Sequence, residues 1–303
     1  MRKQLRVEAT LAEMDTVMPW QRWVALIKPY YTNRYVFDCE TMLRIYCIQQ
    51  WNNLSDPEME EALYDRLSYQ KFVGLDGFSD PVPDESTILR FRHLLEEHKL
   101  SEIIFAETLA YLTELGLVLK RGTIMDATLF EAPVSKKNAT GERDPEMSST
   151  NKNNKWHFGA KGHIGVQSEG LPIIHSLSFT TAKVHDSKEK AKLQHGEEKA
   201  LFGDAAYSNK ADKQKCRREG IYYGIADKGQ RNKPLSPKQK KKNRKHCGIR
   251  AKVEHPFRTL KVLWKHRKLR YKGLAKNAQQ FTMLCALQNI FCSRKKILAL
   301  KVC

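Results

Sequence analysis

A chain of 303 residues with a hydrophobic fraction of 41% is long enough for one large domain or two modest ones with real cores. Its 53 Lys and Arg against 34 Asp and Glu leave a formal charge of +19. That excess goes beyond what solubility needs and points to a polyanionic partner, nucleic acid first, with an anionic membrane surface as the competing reading. No apolar stretch of about 18 residues, signal peptide or lipidation motif is seen, so we expect no membrane anchor and a cytoplasmic protein. Seven cysteines, an odd number without paired spacing, argue for reduced thiols. A zinc site of Cys216, His246 and Cys247 has no two-residue cysteine spacing to support it.

Residues 10 to about 115 read as helical. Trp20, Val24 and Ile27 recur at helical spacing, as do Met42, Leu43, Tyr46 and Cys47, and then Leu63, Leu67 and Phe72. Pro83-Asp84-Glu85-Ser86-Thr87 opens a further helix, with Asp84 or Ser86 as its N-cap. Arg90, Arg92 and His93 lie near one another on it, either as a solvated face or as the DNA-contacting helix of a helix-turn-helix-like module. We place this all-helical N-terminal domain at 1–116.

From Leu117 the texture changes to short apolar runs. Residues 118–125, 156–166 and 171–179 read as three consecutive strands, and the polar stretch 133–155 between the first two as a mobile surface loop. A short helix over 186–194, a strand over 199–203, a helix over 209–219 and a strand over 221–226 follow, giving five strands. Residues 274–300 read as one long helix packed on the sheet, so the second domain is placed at 117–303. Between 228 and 252 the chain carries eleven Lys and Arg and no acid. Charge repulsion, with Pro234 and Pro237, predicts a basic loop left unstructured until it meets phosphate. A solvated loop is the plainer alternative, but its position just before Glu254 favours contact with nucleic acid.

Three separated carboxylates stand out. Asp126 ends the run Gly-Thr-Ile-Met-Asp, Asp204 ends Ala-Leu-Phe-Gly-Asp, and Glu254 sits among Arg250, Arg258 and Lys261. Helical spacing sorts Ile249, Val253, Phe257, Leu260 and Trp264 into an apolar stripe, with Arg250, Glu254, Arg258, Lys261 and Lys265 along another. Pro256 disfavours helix at His255, so a helix should begin or kink near Glu254. Taken singly, each Asp reads as a strand-end turn residue and Glu254 as a member of helix ion pairs. Together on adjacent strands the two aspartates would repel unless a cation lay between them. Hard divalent cations take oxygen ligands and leave positions open for substrate phosphates, so the trio points to phosphodiester chemistry. His185-Asp186 has the look of a metal-ligand pair, yet it opens a short helix where Asp186 would serve as N-cap. His157 and His163, on a strand with Lys161, either reach substrate phosphate or are structural.

These residues carry a resemblance. Asp-Ala-Thr at 126–128, Phe-Gly-Ala-Lys-Gly-His at 158–163, His-Asp at 185–186, Gly-Asp-Ala-Ala-Tyr at 203–207 and Val-Glu-His-Pro-Phe-Arg at 253–258 are similar to bacterial insertion-sequence transposases of the DDE type, nearest to the insertion-sequence-five-like group. The segment 83–92 resembles that family's N-terminal domain. The family signature around the third carboxylate is Tyr, two residues, Arg, three residues, Glu, six residues, Lys; Arg250, Glu254 and Lys261 match it, and Cys247 stands where the family has Tyr. The resemblance implies a ribonuclease-H-like α/β domain, a mixed five-stranded sheet flanked by helices, preceded by the all-helical domain. It implies that Asp126, Asp204 and Glu254 bind two Mg²⁺ ions, with Mn²⁺ as a substitute. Arg250, Arg258 and Lys261 would hold phosphates, while Lys240, Lys241, Lys242, Arg90 and Arg92 would contact double-stranded DNA at terminal inverted repeats and target site. The reaction implied is strand cleavage at the element ends followed by joining of the 3′ ends to target DNA, carried out by a homo-oligomer, a dimer on DNA. Two other readings stay open: a DNA-binding regulator that has lost catalysis, which the Cys247 departure permits, and a nuclease that cuts without joining.

Overall fold

Helical periodicity in the first part of the chain becomes α1 (Arg6–Val17), α2 (Trp20–Ile27), α3 (Cys39–Asn52), α4 (Asp56–Asp65), α5 (Leu67–Val73), α6 (Glu85–Glu97) and α7 (Leu100–Glu114). The computed structural model describes residues 5–32, 36–76, 79–137, 141–152, 154–229 and 234–302, so Arg231, Lys233 and Cys303 lie outside the described residues. Local chemistry sets the helix starts. Ser55 and Glu58 form a capping box at α4, and the Asp84 carboxylate accepts the Thr87 N–H at 2.7 Å, so Asp84 rather than Ser86 caps α6. The left-handed residues Asn53 and Gly74 end α3 and α5. Trp23, Ile27, Met42, Leu43, Ile48, Leu63 and Phe91 are buried in the core of this unit, whereas Leu67, expected with them, is exposed at the first position of α5.

Arg92, expected to contact DNA, is turned inward. Its guanidinium is 6% exposed and donates to Asp56 Oδ2 and Glu96 Oε1, both at 3.0 Å. A buried arginine between two carboxylates ties α4 to α6 and does not face a DNA surface. Arg90 and His93 remain exposed on the same helix.

The second unit is built on six strands: β1 (Gly122–Glu131), β2 (Ser148–Lys152), β3 (Lys155–Gln167), β4 (Ile174–Thr181), β5 (Ala200–Gly203) and β6 (Tyr222–Ile225). The additional strand, β2, lies inside the stretch expected to be a loop; it pairs antiparallel with the start of β3, Ser148 opposite Gly159. The sheet order is β2-β3-β1-β5-β6, with β4 also on β3. β1 is antiparallel to β3 and parallel to β5, and β5 is parallel to β6. Four strands joined by antiparallel ladders, β1 to β4, with β5 and β6 added in parallel, make a mixed sheet of the ribonuclease-H-like kind. Around it stand α8 (Asp186–Glu189), α9 (Lys210–Arg218), α10 (Pro237–Arg250) and α11 (Glu254–Arg258), and α12 (Leu274–Val302) closes the chain.

Two differences from the expected order have clear physical causes. The basic segment is helical over Pro237–Arg250: Ser236 caps it, Gln239 completes a capping box, and Pro237 sits in the first turn where its missing N–H is harmless. Its inward stripe anchors it, with Asn243 exchanging hydrogen bonds with the Asp227 backbone at 3.0 Å and His246 Nε2 meeting Tyr222 Oη at 2.9 Å. Helix α12 packs Phe281 against Phe130 and Phe179 of the sheet, with ring centroids 5.7 and 5.4 Å away. From Thr282 onward, however, it belongs to the helical unit, so the two compact units are Met1–Leu115 with Thr282–Cys303, and Gly116–Phe281.

Candidate active site

β1 does not end at Asp126 as its apolar run suggested; the strand continues to Glu131. What ends there is the parallel pairing, whose last matched residues are Met125 and Gly203. Side chains in register on neighbouring parallel strands share a face, and the strands are about 4.8 Å apart, so the next pair, Asp126 and Asp204, stands side by side. Below them Met125, Leu201, Tyr207, Cys216, Tyr223 and Ile225 form a buried cluster that holds the two strand ends. Burying each such side chain contributes roughly 1.5–3 kcal/mol.

The two carboxylates are each fastened by one oxygen. Asp126 Oδ1 accepts the Ala127 N–H at 2.8 Å, and Asp204 Oδ1 accepts the Ala206 N–H at 2.9 Å, capping the 3₁₀ turn Ala205–Tyr207. Asp204 thus does serve as a turn residue, with its second oxygen left for other use. Burial pushes the Asp126 carboxyl up to about 6; the Ala127 hydrogen bond opposes this, the Asp204 charge adds to it, and Arg250 and Lys152 pull it back. Like charge beside like charge in a half-buried site is relieved by a cation.

Glu254 lies on a helix and not at a strand end. The backbone stays helical from α10 through a 3₁₀ turn, Ala251–Val253, into α11, which starts at Glu254, and then widens into the π-helical turn Thr259–Leu263. Pro256 therefore falls where the helix changes its winding, without ending it. The apolar stripe is realised, with Val253, Leu260 and Trp264 buried. Arg250 and Glu254 are four residues apart on one helical face, and the Arg250 charge bears on Asp126. Glu254 itself is exposed. Among the described residues no three His, Cys, Asp or Glu side chains form a group that could hold a metal ion, so the aspartate pair is assembled while the trio is not closed around a common point.

The cations sort unevenly. Lys261 Nζ donates to the Leu129 carbonyl of β1 and lies 4.8 Å from the centroid of the Phe130 ring; burial first, then Lys152, depresses its pKa to about 8. In this state its ammonium serves the strand edge. Arg258 is exposed. On α10, Lys240 and Lys241 face solvent, while Lys242 is half-buried on the inward stripe with His246, so a phosphate contact from Lys242 is disfavoured. Beside the Asp204 turn opens a cavity of about 750 Å³ whose walls include Ala206, Asn209, Lys210, Lys213 and Lys228.

Other candidates are settled by their partners. His185, not Asp186, caps α8, its ring accepting the Ser187 N–H at 3.3 Å. Asp186 receives Lys161 Nζ at 2.9 Å, so that lysine is not presented to substrate. His163 is fully buried with Nε2 2.9 Å from Thr180 Oγ1, which makes it structural, and the half-buried His157 has its Nδ1 3.0 Å from Glu131 Oε1. Cys216 and His246 are buried and Cys247 is exposed, and among the described residues they do not form a group of three that could hold a metal ion. Tyr207 ends the 3₁₀ turn that Asp204 caps, and its spacing three residues after Asp204 is the one sequence signal of that place.

Two comparisons bear on this geometry. Residues 118–290 match a family model described as "Transposase DDE domain", and residues 1–94 match one described as "Transposase domain (DUF772)".

Proposed function

Since the chain belongs to the DDE transposases and is a DNA transposase, a polynucleotidyl transferase and endonuclease, we propose that Asp126, Asp204 and Glu254 are its catalytic carboxylates, acting at the terminal inverted repeats of an insertion sequence. The observation that carries the proposal is the parallel register of Met125 with Gly203, which sets two buried-side aspartates next to each other at the ends of their paired segment. The family uses a divalent metal, and the donor set fits one: hard carboxylate oxygens from two adjacent strands, one of them raised to about 6 by burial and by its neighbour. Mg²⁺, with Mn²⁺ as substitute, held there with Glu254 would supply Lewis acidity and charge neutralisation at the phosphodiester.

The protein's own groups do the rest. Asp126 and Asp204, each tied by one oxygen to a backbone N–H, keep the second oxygen aimed at the site without a rotamer search. Arg250, on the face that leads to Glu254, places positive charge beside the pair, suited to a scissile phosphate. Arg258 and, once released from Leu129, Lys261 extend that charge along the helix. The exposed lysines Lys240 and Lys241, with Arg90 on the helical unit, hold the duplex by phosphate contacts that carry no sequence information. Release of a 3′-hydroxyl at the element end and its attack on target DNA are the two in-line displacements this site would serve. Because an element has two ends, two copies act together as a dimer on DNA in the cytoplasm.

The test pairs a gel shift with nicking and joining of a 3′-labelled repeat end to plasmid. Asp126→Asn, Asp204→Asn and Glu254→Gln should each abolish nicking and joining while binding the repeat end as the unaltered protein does. Near-normal nicking by Glu254→Gln would remove that residue from the trio, and nicking without any joined product would make the protein a nuclease.

A further inference from the structure

β2 and β3 form a hairpin that runs past the strands beside it. β1 pairs with β3 only as far as Glu131 with Gly159, and β4 only as far as Thr181 with Ala160, whereas β2 and β3 stay paired to Lys152 with Lys155. Trp156 stands one step from that end and is 75% exposed. Trp20, Trp23, Trp51 and Trp264 are all 9% exposed or less. The cross-strand partner of Trp156 is the exposed Asn151, which offers neither a ring nor a branched side chain to cover the indole.

The end of the hairpin carries positive charge without relief. Lys152 and Lys155 face each other across the last pair, both exposed, and neither is bonded to a carboxylate among the described residues. Like charges directly opposite on paired strands are destabilising, and an anion beside them removes that cost. An uncovered indole next to two unneutralised ammonium groups suits a partner that is anionic and presents flat apolar faces. Nucleic acid has both. A closed duplex shows an approaching side chain its phosphates, sugars and base edges, while the faces of its bases are turned into the stack. The indole therefore finds a stacking partner only where a base has left its pair. Register puts Trp156 on the same side of the sheet as Asp126, since Asp126 is opposite Ile164 and Trp156 lies eight residues, an even number, from Ile164 along β3. That is at most about 27 Å along the strand, a length that B-form DNA covers in roughly eight base pairs.

We propose that the β2–β3 hairpin is a binding site for unpaired DNA: Trp156 stacks on a base that has left the duplex, while Lys152 and Lys155 take the phosphates that flank it. This rests on the proposed reading that DNA is held on the face of Asp126. The contact separates opened DNA from closed duplex and is indifferent to sequence, because every base has a π-face.

Trp156 is its own reporter, because it is the one exposed tryptophan of the chain. The full chain is titrated with a blunt DNA duplex and with the same duplex carrying a 3′ tail of unpaired thymines, and the quenching of its emission by acrylamide is followed. The tailed DNA should quench the exposed emission and shield it from acrylamide, whereas the blunt duplex should leave it accessible. Trp156→Ala should bind the tailed DNA roughly 5–100-fold more weakly and the blunt duplex as the unaltered protein does. Trp156→Phe should recover part of the loss. Lys152→Gln with Lys155→Gln should flatten the salt dependence of binding to the tailed DNA. Equal shielding by the blunt duplex, an equal loss for both DNAs, or no loss for the tailed one overturns the stacking role. Shielding that grows with protein concentration without DNA makes the hairpin a contact between copies instead. If the unaltered protein binds neither DNA, the reading of the Asp126 face fails too; if it binds both and Trp156→Ala changes nothing, only the role of the hairpin fails.

Discussion

Replacing Asp126 by Asn should make the metal-free protein more stable at neutral pH. Burial, with help from Asp204, raises the Asp126 carboxyl from 3.8 to about 6. Each tenfold change in that equilibrium is worth about 1.4 kcal/mol, so the charged form is disfavoured in the folded protein by about 3 kcal/mol. A raised carboxyl favours folding fully below the unfolded value near 4, and that contribution is lost as pH rises through about 6. Asn is uncharged throughout and its carbonyl can still accept the Ala127 N–H. Asp126→Asn should therefore match the unaltered protein at pH 4 and exceed it by up to about 3 kcal/mol at pH 8. That is roughly 6–12 °C for a unit of this size. Thermal unfolding across pH 4–8 in chelator measures it. Adding Mg²⁺ at pH 8 should stabilise the unaltered protein and leave the variant where it was. A variant no more stable than the unaltered protein at pH 8, or a difference that does not vary with pH, would refute the reasoning that Asp126 is held charged at a cost.

Arg92→Leu should lower stability by about 3–5 kcal/mol in urea, because Asp56 and Glu96 lose a shared buried partner; Arg90→Ala should stay within about 0.5 kcal/mol. Neutralising Lys240 and Lys241, both exposed on α10, should reduce the slope of log affinity for DNA against log salt by up to about 1.8, taking about 0.9 per phosphate contact. An unchanged slope would show that α10 does not meet the backbone. Ser236→Ala should weaken the start of α10 by about 1 kcal/mol and speed amide exchange in its first turns without DNA. Exchange that is already unprotected in the unaltered, DNA-free protein would return the segment to the disordered loop its charge suggests.

What could be read before any fold was known, and what could not, divides by range. The strand after Lys199, the helix capped by Asn209 and the apolar stripe ending at Trp264 followed from neighbours within a few residues. The helix over Pro237–Arg250 was equally local: Ser236, Pro237 and Gln239 spell a helix start. Composition misled there, because repulsion among exposed lysines is screened by water and salt while a capping box and an anchored inward stripe act at contact.

The amino-acid sequence by itself determined the candidates for the chemistry: two aspartates behind apolar runs, a glutamate among cations, and an excess of positive charge. Tertiary structure decided which of them meet. Asp126 and Asp204 are neighbours only because Met125 pairs with Gly203 across a parallel ladder, a long-range register that no local pattern encodes. Arg92 is buried because Asp56, on another helix, lies opposite it. Side-chain identity is carried by each position alone, whereas burial, register and charge pairing depend on residues far apart in the chain, and these decide which groups become a site.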